Sequence, residues 1–198
     1  MKKKKKYNMR TTNTEVQKQP APIIRQREGL VRKIVPKAIC RVRKDMDSWR
    51  HALRQADCVD RPRRRLLMDL YADVMLDALL TSQIEQRIGR TMSAEFSLKD
   101  TTGKVDEEST RVLSEAVWFP LLLRYMLESV FYGHSLVEFS ASEVSGLEVT
   151  LIPRQNVVPE EGLFLFDSTA DDGVYYRDMR EYGTYVLEFG SPRNYGAV

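Results

Sequence analysis

Residues able to do chemistry are thinly scattered along this 198-residue chain, and their spacing restricts what they can do. Asp69, Asp73 and Asp77 recur every four residues. On a continuous helix that interval stacks three carboxylates on one face, the kind of oxygen ligand a divalent cation takes. No His or Glu on a second identifiable helix joins them, so the spacing predicts a solvated helix face and no metal site. Of the two histidines, His51 lies between Arg50 and Arg54, and His134 follows Gly133 in a turn. A catalytic imidazole needs a nucleophile in reach and a partner that orients the ring. The sequence offers neither set, so no catalytic residue is expected. Cys40 and Cys58 form no CxxC and have no neighbouring His pair, which predicts two buried or half-buried thiols rather than zinc ligands or a disulfide. A nucleophile elbow, a phosphate-binding glycine loop, a dinucleotide fingerprint and HExxH are all lacking, so no cofactor is expected.

Charge gives a stronger signal. The total is +3, but residues 1–65 hold 21 Lys/Arg against 6 Asp/Glu and residues 66–198 hold 10 against 22. A basic front suits a polyanion, and an acidic back does not. Lys2, Lys3, Lys4, Lys5 and Lys6, with Arg63, Arg64 and Arg65, are therefore the candidate contacts for nucleic acid or a partner. The run MKKKKK is followed by no apolar stretch, so it does not read as a secretion signal. No segment offers about twenty uninterrupted apolar residues, which argues against a membrane span.

The elements that must position these groups follow from periodicity. Residues 1–22 hold almost no aliphatic side chains and two prolines, too little to offset the entropy of ordering, so they predict a disordered basic arm. Residues 23–44 alternate apolar and basic types and read as an extended basic strap laid on another surface, or as short strands at Leu30-Val31, Ile34-Val35 and Ile39-Cys40. Residues 45–198 form the folded body. A short helix is expected over Ser48–Ala56, with Trp49 and Leu53 on one face. A long one is expected from Asp60 to about Thr91, its stripe running through Leu66, Leu70, Val74, Ile84 and Ile88. Glu95–Lys99 alternates as a strand ahead of an Asp100–Gly103 turn. A helix with Asp106, Glu107 and Glu108 in its first turn then runs to about Trp118, where Pro120 kinks it or opens another. Strands are expected at Ser135–Ser140, Leu147–Pro153, Leu163–Asp167, Tyr175–Arg177 and Thr184–Phe189. Helices first and strands after predict an α+β fold: long N-terminal helices packed on a mostly antiparallel sheet of short strands, preceded by the flexible arm.

Several of these stretches, in this order, resemble one family. Trp49-Arg50 with Ala52-Leu53, then Pro62, Leu66 and Leu70-Tyr71, then Asp77 and Ser82 to Arg87, resemble the opening of Mu-type bacteriophage portal proteins. Leu127–Glu138, with its Phe131-Tyr132-Gly133 core, resembles their helix–turn–strand element, and Leu151–Pro159 the strand and loop that follow. The resemblance covers about residues 45–190 and corresponds to an N-terminal, wing-like portion, since the family's subunits continue into stem and clip segments. It implies a structural, non-enzymatic subunit of a homo-oligomeric ring, commonly a dodecamer, at the head vertex of the virion. Such a ring passes DNA during packaging and ejection and docks terminase, head and neck proteins, with no membrane involved. It assembles in the host cytoplasm. Without the resemblance, the residues leave open a nucleic-acid-binding module built on the basic first 65 residues.

Overall fold

The computed structural model of the chain describes residues 29–35, 46–142 and 146–197. Lys2–Lys6, Cys40 and most of the 23–44 strap lie outside the described residues. Five helices precede six short strands: α1 (Met46–Ala56), α2 (Arg65–Val74), α3 (Ala78–Met92), α4 (Glu107–Glu115), α5 (Phe119–Tyr132), β1 (His134–Ser142), β2 (Gly146–Leu151), β3 (Val157–Val158), β4 (Leu163–Leu165), β5 (Gly173–Tyr175) and β6 (Val186–Gly190). Helices then strands is the expected α+β order. The strands form two antiparallel sheets of three, ordered β2-β1-β6 and β3-β4-β5.

β1 is the centre of the larger sheet. Val137 lies opposite Leu151 on one side and Leu187 on the other. Every residue from Gly133 to Glu138 is buried, because the strand has neighbours on both edges and cover on both faces. One core joins the two sheets through Leu30, Leu136, Ile152, Val157, Phe164, Tyr176 and Val186. Each such side chain contributes about 1.5–3 kcal/mol on burial. Leu30 enters this core from a short 3-10 turn, Leu30–Lys33, where a strand was expected. The turn is tied down by the buried Glu138, whose Oε2 accepts from the Leu30 amide at 2.6 Å. The next pair, Ile34-Val35, leaves the turn in extended backbone, and the Val35 amide bonds the Phe166 carbonyl at 3.0 Å.

A second core joins α1 to α2 through Ala52, Ala56, Leu67, Met68, Leu70 and Tyr71. Beyond α2 the expected long helix does not exist. Asp77 ends it by folding back: its Oδ1 accepts from the amides of Leu79 (2.8 Å) and Leu80 (3.0 Å) and caps a new helix. A side chain that satisfies backbone donors better than a continuing helix can is the reason the apolar stripe misleads here. The start also shifts from Asp60 to Arg65. The 95–99 strand reduces to one bridge, Lys99 opposite Val105, around the expected turn, where Asp100 Oδ1 accepts from the amides of Thr102 (2.7 Å) and Lys104 (3.0 Å). Helix α4 stops at Glu115, short of Trp118, and Pro120 sits in the first turn of a separate helix. The strand expected at Tyr175–Arg177 lies two residues earlier, at Gly173–Tyr175, and Tyr176–Asp178 is a 3-10 turn.

Candidate interaction surfaces and the buried charges behind them

The charged side chains most suggestive of function are turned to structural ends. Arg64 is sealed inside, although its neighbours in sequence made it a candidate surface contact. Its Nη2 and Nε reach Glu160 Oε1 at 2.5 and 3.0 Å, and its Nη1 donates to the Asn194 carbonyl at 2.7 Å. Nη1 also lies 3.3 Å from His134 Nδ1, and the guanidinium stacks 5.0 Å from the Tyr195 ring centroid. A guanidinium only donates, so Nδ1 accepts and the His134 proton sits on Nε2. Burial, and then the Arg64 and Arg154 charges, push the His134 pKa well below its ordinary 6.5. A cation on Nδ1 is the reverse of the orienting carboxylate that a catalytic triad places there.

Two further arginines act as ties. Arg154 holds Glu128 Oε2 (2.8 Å), Ser135 Oγ (2.9 Å) and the His134 carbonyl (3.1 Å), and lies 4.2 Å over the Tyr132 ring. Glu128 also takes Arg124 Nε at 3.0 Å, and Arg124 bonds Glu85. The run Glu85–Arg124–Glu128–Arg154 thus stitches α3 to α5 and α5 to the β1–β2 sheet. Arg177 grips Glu188 at 2.8 and 3.0 Å while the Tyr176 hydroxyl donates to it at 2.6 Å. Burial raises the Tyr176 pKa, with the bond to Glu188 adding to it. Burial and a bond to Asp57 push Tyr195 up to about 12.

The other sequence candidates are dispersed. Arg63 is mostly covered and donates to Asp171 at 2.5 Å and to the Pro62 carbonyl at 2.8 Å. Arg65 is half-buried at the start of α2. The three arginines therefore do not form one phosphate-facing patch. Of the three aspartates, Asp69 is buried and accepts from Gln155 Nε2 at 3.2 Å, while Asp77 is the α3 cap. Asp69 and Asp73 stay four apart on α2, and the break after Val74 takes Asp77 out of that row. Among the described residues no group of three His, Cys, Asp or Glu could hold a metal ion. Cys58 is an exposed free thiol, where a covered one was expected, because it follows the last turn of α1. It lines a pocket of about 150 Å³ with Ala56, Pro62, Glu160 and Pro192. That is smaller than the roughly 300 Å³ at which small-molecule sites begin.

What stands open is the helical side. From residue 76 to residue 131 only Ile84, Ile88 and Ser129 are buried. Helix α4 has no buried residue at all, yet it is well formed: Asp106 Oδ1 caps it by accepting from the Ser109 amide at 3.0 Å, and Glu107 and Glu108 favour its N-terminal dipole. It is tied to the preceding segment by Thr110 Oγ1, which accepts from the Leu98 amide at 2.9 Å, and by the Asp106 amide, which donates to the Leu98 carbonyl at 2.9 Å. The sequence does carry a signal for this openness, in the polar Glu-Glu-Ser-Thr-Arg start of α4. The inward turn of Arg64 has none, since its partner Glu160 is distant in sequence.

A family model described as the portal protein of Mu bacteriophage matches residues 68–193, from α2 through β6. No curated protein and no solved structure matches the chain. Among the described residues no helix is long and apolar enough to cross a membrane.

Proposed function

The chain belongs to the portal protein family of Mu bacteriophage, and from that premise we propose that it is a structural subunit of a portal ring at the head vertex. In this reading the ring supports DNA packaging and ejection and docks terminase, head and neck proteins. Lys2–Lys6 and Arg65 are the groups left to meet DNA or a partner. The observation that carries it is the extent of the match: it takes in both the open helical side and the closed sheets as one unit. Two properties support it. The interior charges are consumed by ties between elements, as suits a load-bearing scaffold, and the helical side leaves apolar groups uncovered, as suits a subunit.

The alternative, a nucleic-acid-binding module, loses Arg63 and Arg64, which are held by Asp171 and Glu160. Immunogold labelling of phage heads carrying a tagged copy tests the proposal. Label at a single vertex of each head is expected; label spread over all vertices, or none on heads, contradicts it.

A further inference from the structure

Two open helical stripes of opposite character lie on different parts of the chain. On α4, Glu108, Val112 and Glu115 follow one another at steps of four and three and are all exposed, with Val112 61 % accessible. On α1, Met46, Arg50, Leu53 and Arg54 share one exposed face in the same way, Met46 at 67 % and Leu53 at 40 %. One stripe is an apolar residue between two carboxylates. The other is two apolar residues beside two guanidinium groups.

We infer that these stripes pair between two copies of the chain, α4 of one copy lying against α1 of the next. The inference rests on the portal reading and names the faces through which its subunits meet. Val112 would pack between Met46 and Leu53, with Glu108 and Glu115 opposite Arg50 and Arg54. Two different patches make a head-to-tail contact, the type that closes into rings. The rival occupants fit less well. Nucleic acid is repelled by the acidic α4, whose nine residues carry Glu107, Glu108 and Glu115 against Arg111. The basic arm has almost no aliphatic groups to cover Val112. Existing partners do not compete strongly. Arg50 pairs with Asp47 at 3.2 Å, but both side chains are exposed, and such a pair is easily exchanged. Arg54 Nε donates only to the Arg50 carbonyl, at 3.3 Å.

A charge swap on the full chain tests the pairing, with self-association followed by sedimentation velocity. Reversing one face (Glu108→Lys with Glu115→Lys) should weaken association at least about tenfold, and reversing the other (Arg50→Glu with Arg54→Glu) should do the same. Combining all four should restore it to within about threefold of wild type, because the attractive pairs are re-formed with exchanged signs. All eight carboxylate and guanidinium positions are exposed across two copies, so folding survives, and unchanged unfolding of each variant verifies this. If neither reversal alters association, if the combination is weaker still, or if the wild-type chain stays monomeric at every concentration, the pairing is overturned. Vertex labelling of heads would be untouched by those results, so the portal reading stands or falls separately.

Discussion

The sheets and the helical side are built of similar apolar types and use them in opposite ways. From the α5 cap Gly133 into β1 as far as Glu138 all six residues are buried, and even the charged Glu138 is taken inside to hold the Leu30 amide. Over the 56 positions 76–131 burial is reached at Ile84, Ile88 and Ser129 alone. Leu79 and Val117 stand 72 % and 81 % accessible. The closed half completes its own core, whereas the open half has an ordered backbone with its side chains unspent. Local capping by Asp77, Asp100 and Asp106 shapes the starts of α3 and α4 and the hairpin between them, while tertiary cover reaches only a few side chains such as Ile84 and Ile88. Local order and burial are thus supplied separately here: caps define the helices in a region where few side chains are buried.

Substitutions should separate the halves sharply. The largest effect is expected where α5 hands over to β1. Gly133 has φ +84°, and a Cβ there would lie 2.0 Å from the Asn194 carbonyl oxygen. Gly133→Val should cost upward of about 4 kcal/mol in denaturant unfolding, or prevent folding. Next comes Arg64→Met, which strands Glu160 inside without its counter-charge and should cost about 3–4 kcal/mol. Adding Glu160→Leu should recover much of that loss, which a purely steric role for Arg64 would not allow.

His134 makes the closed half sensitive to pH. Its folded pKa lies well below 6.5, so below that pH the unfolded chain binds a proton that the folded chain refuses. Its contribution is therefore present above pH 6.5 and lost as the pH falls, by up to about 1.4 kcal/mol for each unit. His134→Gln should flatten the stability profile between pH 7 and 5 relative to wild type, as followed by urea midpoints. The smallest effect belongs to the open half. Val112→Ser on α4 should change the unfolding free energy of the free chain by less than about 0.5 kcal/mol. A loss above about 2 kcal/mol there would mean that α4 is covered within one copy, and the contrast would break.

Much of the closed half could be read from sequence because its physics is local. The strands β1 and β2 were expected close to where they lie, the turn at Tyr132-Gly133-His134 marked the α5 end, and in the open half acidic first-turn residues marked α4. The break between α2 and α3 was hidden because the apolar stripe from Leu66 to Ile88 runs straight through it. Only Asp77, read as a face residue rather than a cap, tells otherwise. Arg64 was hidden for a different reason. Its burial depends on Glu160, Asn194 and Tyr195, all far along the chain, and a run of three arginines looks the same whichever one turns inward. The polar start of α4 signals an open helix, but which faces of α1 and α4 stay uncovered depends on packing by distant segments, so the two stripes emerge only with the fold.

Native-state amide hydrogen exchange across both halves, followed as the protein is concentrated, tests the central contrast most directly. Amides of β1 should exchange only through global unfolding at every concentration, while those of α4 exchange through local opening that costs far less. On concentration α4 should become protected and β1 should not change. Amides in α4 as slow as those of β1 in the dilute chain would contradict the account.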